Sequence, residues 1–330
     1  MTTLKLKKNL LGLATGLSLI AAPCSFAASW PQQPIRLVVP FPAGGNIDAT
    51  ARIIAKGLAE QMKATVVVEN KAGAAGLVGA QSVMRAKPDG YTALLASTGS
   101  LAAMRALDPK VPLDPAKDFV SAGPISIAPM LLIVNKDLPA RTLPEFLKYA
   151  HSRPGELTMG SAGTGTSNHL AGEMFQNLSK TKFLHVPYKG SGPAMTDLIG
   201  GQIDLIFDQM ASSLPQVKAG KVRALAVTTN EKSELMPELP TIASAGLKDY
   251  EASTTTGILF PAGTAPNVTK QVNDALRTIL QNQSIRTQLQ QLGTEARPGT
   301  QDDFQHILQN ETDKWTGIVN AAGITTNAHP

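Results

Sequence analysis

Two glycine-rich stretches carry the residue types that can do chemistry: Pro40-Phe41-Pro42-Ala43-Gly44-Gly45-Asn46-Ile47-Asp48 and Gly160-Ser161-Ala162-Gly163-Thr164-Gly165-Thr166-Ser167-Asn168-His169. Each lies between an apolar β-branched run and a segment with helical periodicity. A turn in that position leaves several backbone N–H groups unpaired at a helix start, where the peptide dipoles add partial positive charge. Two such cups facing each other would hold an anion, most simply a carboxylate. The second turn adds the hydroxyls of Ser161, Thr164, Thr166 and Ser167. A hydrogen bond to a charged group contributes about 1.5–3 kcal/mol. A few of them approach the roughly 8 kcal/mol of a micromolar complex before ordering costs are subtracted.

Other residues beside the turns each have two roles open to them. His169 can donate to a carboxylate or order its own loop. Tyr188-Lys189-Gly190 follows a strand and can aim a phenol and a backbone N–H at a cleft, although Lys189 serves equally well as a solvated surface charge. Asp208 ends a strand, where it can meet a ligand ammonium or hydroxyl, or cap the next segment; an acidic amino acid as ligand would need it as its ammonium partner. Asp48 can reach a ligand through water, but capping its own helix is the favoured role. The candidate site is therefore Phe41, Pro42, Ala43, Gly44, Gly45, Asn46 and Asp48; Ser97; Ser161, Ala162, Gly163, Thr164, Gly165, Thr166 and His169; Tyr188, Lys189 and Gly190; and Asp208. Ser161, His169 and Asp48 or Asp208 also supply the residue types of a serine hydrolase. A nucleophile elbow wants glycine two residues before the serine, and Met159 stands there. Gly163-Thr164-Gly165 starts like a dinucleotide fingerprint, but its sixth position is Asn168 and no acid follows at the needed distance. No histidine pair has zinc-ligand spacing. No metal, cofactor or catalysis is expected.

The elements that must position these turns alternate in type. Strands are expected at Ile35–Val39, Thr65–Val68 and Thr92–Ala96, with helices from Asn46 or Asp48 to Met62 and up to Arg85. A second set has strands at Met130–Val134, Leu157–Gly160, Phe183–Val186, Ile203–Phe207 and Ala224–Thr228. Thr142-Leu143-Pro144-Glu145 has capping-box spacing. A helix follows the second turn over His169–Leu178, and Pro193 suits the first turn of another. A late strand, Thr254–Phe260, precedes helices at Asn267–Gln281, Ser284–Leu292 and Asp302–Ala321. Such alternation predicts an α/β fold with mostly parallel sheets flanked by helices. Residues 28–126 plus 253–330 are expected to form one lobe and 127–252 the other, joined near Ile127 and Ser253, with the C-terminal tail on the first lobe. A two-strand hinge of that kind permits closure on a ligand.

The chain of 330 residues opens with Lys5, Lys7 and Lys8, an apolar run from Leu10 to Ala22, and Ser25-Phe26-Ala27. That order is a secretory signal, with cleavage expected after Ala27. The only cysteine, Cys24, lies within it. Pro23 occupies a position where lipidation wants a small unbranched residue. The exported chain then has no cysteine, needs no disulfide and must be held by its own core. Three of the 30 Lys+Arg lie in the signal and no acidic residue does, which leaves 27 basic against 25 acidic groups. No basic run with interleaved aromatics is present, so nucleic acid is excluded as a partner.

These motifs, in this order, resemble the periplasmic substrate-binding proteins of tripartite tricarboxylate transporters, the Bug family. The resemblance runs from Trp30-Pro31 and Pro34-Ile35-Arg36 through Gly44-Gly45 with Asp48 and Ala51-Arg52, then Val67-Val68-Glu69-Asn70 and Pro88-Asp89-Gly90-Tyr91-Thr92. It continues with Gly160-Ser161-Ala162-Gly163, His169-Leu170-Ala171-Gly172-Glu173, Val186-Pro187-Tyr188-Lys189-Gly190, Gly200-Gly201-Gln202-Ile203-Asp204 and Phe207-Asp208. It implies a two-lobed type II periplasmic binding protein of the Venus-flytrap kind. The ligand would be a di- or tricarboxylate, an acidic amino acid or an aromatic acid. The loop Phe41–Asn46 would meet it through ordered waters and the turn Ser161–Thr166 would grip a carboxylate. Ala43 departs from the family, where a second proline is common. The partner implied is a two-subunit membrane permease, served by a monomeric receptor; partnership with a membrane sensor kinase is the alternative use of the same cleft.

Overall fold

The computed structural model describes residues 30–324; the signal, its cleavage site and Cys24 lie outside the described residues. Strand β1 (Ile35–Val39) leads through the first glycine turn into helix α1 (Asn46–Met62). Then come β2 (Val66–Asn70), α2 (Leu77–Met84) and β3 (Thr92–Ser97). Helix α3 (Thr98–Leu107), absent from the elements expected from sequence, leaves β3 with no turn between them. Strand β4 (Phe119–Asn135) is far longer than the expected Met130–Val134. Gly123, Pro124 and Pro129 look like breakers, but the strand absorbs irregularities between Ser121 and Gly123 and between Pro124 and Ser126. Helix α4 (Leu143–His151) starts at Thr142, whose Oγ1 accepts the Glu145 N–H at 3.3 Å. The Glu145 carboxylate reaches one residue further back than a capping box requires, to the Arg141 N–H at 2.7 Å.

The second set is β5 (Thr158–Ser161), α5 (Ser167–Ser179), β6 (Leu184–Pro187), α6 (Ser191–Ile199), β7 (Leu205–Gln209), α7 (Met210–Lys218) and β8 (Val222–Val227). The chain ends with β9 (Ser253–Pro261), α8 (Pro266–Ile279), α9 (Gln283–Gln291), β10 (Glu295–Ala296) and α10 (Gln301–Ala322).

One sheet has the order β2-β1-β3-β9-β4 and the other β4-β7-β5-β6, with β10 and β8 added against β4. Strand β4 belongs to both: Phe119 to Pro129 pair with β9, and Met130 to Val134 with β7. The return passage is at Ala252, whose N–H donates to Thr228 O at 2.9 Å, directly before β9. The sheets are mixed, a correction to the mostly parallel expectation. Strand β1 runs parallel to β2 and β3, and β5 to β6 and β7, but every pairing made by β4 or β9 is antiparallel. The βαβ units supply the parallel outer strands, and the strands that carry the chain between lobes enter the other way.

The apolar faces bury Leu37, Ile54, Leu95, Ile258 and Leu276 on one lobe and Met159, Phe175, Phe207 and Tyr250 on the other. Two helices span both cores. Leu101 of α3 packs with the first, Ala102, Ala103 and Ala106 with the second. Phe304 and Leu308 of α10 pack on the first lobe, as the sequence suggests for the tail, but Trp315, Ile318 and Val319 pack on the second. A helix of this length reaches roughly 33 Å, more than one lobe face needs.

Candidate functional site

A cavity of about 720 Å³ lies between the lobes. Asn46 and Ile47 line it from the first turn, and Ala162, Thr164, Ser167 and Asn168 from the second. The backbone N–H groups of these residues have no protein partner among the described residues. Neither helix start is capped: Gly45 precedes α1, Thr166 precedes α5, and neither receives a side-chain cap bond. The Thr166 hydroxyl is turned back onto Gly163 O, to which it donates at 2.7 Å. The open ends of two helix dipoles therefore face one space, from opposite lobes.

The second turn is held from behind. Gly163 at φ +131° and Gly165 at φ +77° give it a shape that β-carbons disfavour. The Gly165 N–H donates to His169 Nδ1 at 3.1 Å, so that nitrogen carries no proton. His169 is buried, with Nε2 3.4 Å from Glu173 Oε1 and its ring stacked on His185 at 3.9 Å between centroids. Of the two roles open to His169, the structure gives it the ordering of the loop. Burial, then the His169 ring, hold the His185 imidazole down to about 4, with Glu173 acting in the opposite direction. His185 Nε2 lies 2.6 Å from Ser161 Oγ, which also accepts the Gly163 N–H at 3.2 Å. Ser161 is 1% exposed and does not line the cavity. Its imidazole partner is His185, not His169.

The first turn is clamped by Asp48, 3% exposed, rather than capped by it in the usual way. The Asp48 carboxylate accepts the Gly44 N–H at 2.9 Å, Asn70 Nδ2 at 3.0 Å, and Nε and Nη2 of Arg52 at 3.0 Å each. Asn70 Nδ2 also donates to Phe41 O at 3.1 Å. Hydrogen bonds from Arg52 first, then from the Gly44 backbone, lower the Asp48 carboxyl to about 2. Asp48 thus shapes the loop and does not line the cavity. Phe41 and Asn46 line it, while Pro42, Ala43, Gly44 and Gly45 are exposed outside its lining.

Ser97, Ala162, Thr164, Gly165 and Thr166 line the cavity. Gly163, Tyr188, Lys189, Gly190 and Asp208 do not. The Tyr188 hydroxyl donates to Asp197 Oδ2 at 2.7 Å and its N–H to Ser161 O at 3.0 Å, so both groups are used within the lobe. Burial and Asp197 push the phenol up to about 12. Lys189 is a surface charge and Gly190 a left-handed φ +122° entry to α6. Asp208 is fully buried and accepts from Asn168 Nδ2 and Ser191 Oγ at 2.8 Å, Ser212 Oγ at 2.6 Å and Ser213 Oγ at 3.1 Å. It pins the starts of α5, α6 and α7 together, which leaves it no role as an ammonium partner for a ligand in the cavity.

The largest contribution missed from sequence is α3. Gly99, Ser100, Ala103, Met104, Leu107 and Asp108 all line the cavity. Their spacing is one face of a helix, the signal that would have found them. Thr254 and Thr256 of β9, Thr294 and Gln209 add polar atoms from distant parts of the chain. Among the described residues no lysine, arginine or histidine lines the cavity, and Asp108 is the one ionisable residue that does. An anion here would be met by N–H groups and hydroxyls alone. Among the described residues no His/Cys/Asp/Glu group has the makings of a metal site, and no helix is long and apolar enough to cross a membrane.

Two α/β lobes, two connecting strands and an interlobe cavity rimmed by helix starts define a type II periplasmic solute-binding protein. A TctC solute-binding protein from Polaromonas, solved with no ligand, matches with a TM-score of 0.82 at 28% identity, over 89% of this chain and 100% of that one. An R. palustris protein, Rpa4515, solved with adipate, matches with a TM-score of 0.74 at 34% identity, over 90% and 99%. The chain belongs to the tripartite tricarboxylate transporter family of receptors, whose profile matches residues 50–324. The UPF0065 protein in the tcbD-tcbE intergenic region of a Pseudomonas species is 36% identical over 314 residues, 95% of this chain and 93% of that protein. Protein BugT of Bordetella pertussis is 33% identical over 305 residues, 92% and 93% of the two chains. The family consists of periplasmic solute receptors, and the resemblance drawn from the motifs is borne out.

Proposed function

We propose that this receptor binds a small organic carboxylate between its lobes and delivers it to a two-subunit membrane permease, after export and removal of residues 1–27. The observation that carries the reading is the facing of unpaired N–H groups, Asn46 and Ile47 against Ala162, Thr164, Ser167 and Asn168, across one cavity. Negative charge is favoured there without any cationic side chain. A ligand touching both sets gains contacts that exist only when the lobes approach, and only such contacts shift the population toward closure.

A thermal-shift screen of the mature protein against di- and tricarboxylates, acidic amino acids and aromatic acids tests this. A ligand at a hundredfold over its Kd adds about 2.7 kcal/mol. Melting temperatures unmoved across the whole panel would remove the carboxylate reading.

A further inference from the structure

The open amides are edged with apolar side chains on both lobes. Phe41 and Ile47, at the two ends of the first glycine turn, pack only partly on the first lobe, as do Leu77 and Val111, and all four line the cavity. Leu107 of α3 does the same on the second lobe. A β-carbon on Gly165 would lie 2.9 Å from Leu107 Cδ1, so this leucine stands against the second turn itself. Met104 precedes it by nearly one helix turn, about 5 Å along the axis. It is half-buried, lines the cavity and is packed into no core among the described residues. Apolar side chains left uncovered together in a cleft mark a surface that a ligand covers.

The polar atoms beside this wall suit a second acid group poorly. Ser100 Oγ donates to Ser97 O at 3.0 Å, Thr294 Oγ1 to Leu289 O at 3.0 Å and Thr166 Oγ1 to Gly163 O at 2.7 Å. A hydroxyl has one proton, so these three offer the cavity lone pairs only. Asp108, next to Leu107, brings a carboxylate of its own. With one ligand carboxylate held by the amides of both lobes, a second would meet apolar carbon, lone pairs and a like charge.

We propose that Met104 and Leu107 are specificity-determining residues and that the ligand is a monocarboxylate with an apolar body, aryl or alkyl. This rests on the carboxylate reading above. The acid group sits at the helix starts, and the body runs over Leu107 to Met104, with Phe41, Leu77 and Val111 meeting it from the first lobe.

The test is isothermal titration of the mature protein with butanoate, hexanoate, phenylacetate and adipate, repeated on Met104→Gln. Each buried methylene is worth about fourfold in affinity, so hexanoate should bind at least about tenfold more tightly than butanoate. Hexanoate and phenylacetate should each bind more tightly than adipate, which has the length of hexanoate but ends in a second acid. Glutamine keeps the length of methionine and adds an amide that the ligand body would strip of water. In Met104→Gln hexanoate and phenylacetate should therefore weaken by about tenfold or more, and the hexanoate-to-adipate ratio should fall. A merely structural role would weaken every acid alike and leave that ratio unchanged. Melting curves confirm that the variant is folded, and Met104→Ala serves if it is not. Adipate binding as tightly as hexanoate and phenylacetate, equal affinity for butanoate and hexanoate, or an unchanged ratio in the variant overturns the proposal while leaving the carboxylate reading intact. Failure of every organic acid in the wider panel removes both.

Discussion

Gly165 joins the second turn's geometry to the cavity wall, and replacing it with alanine tests that joint. Its φ of +77° costs an L residue about 1–2 kcal/mol. A β-carbon there would lie 2.9 Å from Leu107 Cδ1 and 3.2 Å from Cδ2. The far end of a leucine can yield, so the contact adds little to stability but displaces the turn. Unfolding should therefore lose roughly 1–2 kcal/mol, about 2–6 °C in melting temperature for a chain of this size. Binding should lose more. The N–H groups of Thr164, Ser167 and Asn168 flank the shifted residue, and loss of one bond to a carboxylate is worth about 1.5–3 kcal/mol, roughly 10- to 100-fold in Kd. Gly155→Ala is the matched control, since φ is +81° and nothing lies within 4 Å of the added carbon. It should show a similar loss of melting temperature with an unchanged Kd in titration calorimetry. A Gly165→Ala protein that is less stable yet binds like wild type would refute the role given to the turn.

Three further outcomes follow from the same geometry. His185 ordinarily titrates near 6.5 and is held down to about 4, so its contribution to stability is complete above 6.5 and lost as pH falls toward 4, with Asp48 adding a further loss between 3.8 and about 2. Urea midpoints should decline over the first window, and His185→Gln should flatten that decline; equal slopes would contradict the assignment. Because no basic side chain among the described residues lines the cavity, carboxylate affinity measured by calorimetry should change less than about threefold between 0.05 and 0.5 M salt, whereas a steep dependence would point to an unrecognised cation. Trp315→Ala should cost about 3–5 kcal/mol in urea unfolding, since the ring is 1% exposed in the second lobe's core; a loss under about 1 kcal/mol would show that the end of α10 is not part of that core.

The sequence made the local chemistry legible and the long-range geometry much less so. Ile35–Val39 before Gly44-Gly45, and Thr142 three residues before Glu145, announce strand, turn and helix start through short-range rules that the fold leaves undisturbed. Gly123, Pro124 and Pro129 normally end strands, so sequence alone predicts only the Met130–Val134 part of β4; pairing with β9 carries the strand past them. Helix α3 is hidden in the sequence because Thr98-Gly99-Ser100 are weak helix formers that follow a strand directly, and its stripe of cavity residues is hidden with it. Asp208 and Tyr188 stand beside the candidate turns in sequence, but each faces partners inside its own lobe. Only tertiary structure separates a residue that supports a turn from one that faces the ligand.

The central claim is that amides from both lobes converge on one carboxylate. A crystal structure of the mature protein with the acid that raises its melting temperature most tests this directly. The carboxylate oxygens should sit within hydrogen-bond reach of N–H groups at Asn46 or Ile47 and, at the same time, of Ala162, Thr164, Ser167 or Asn168, with the lobes closed upon it. A ligand bound elsewhere, or with its acid group turned to solvent while these amides remain unoccupied, would contradict the account.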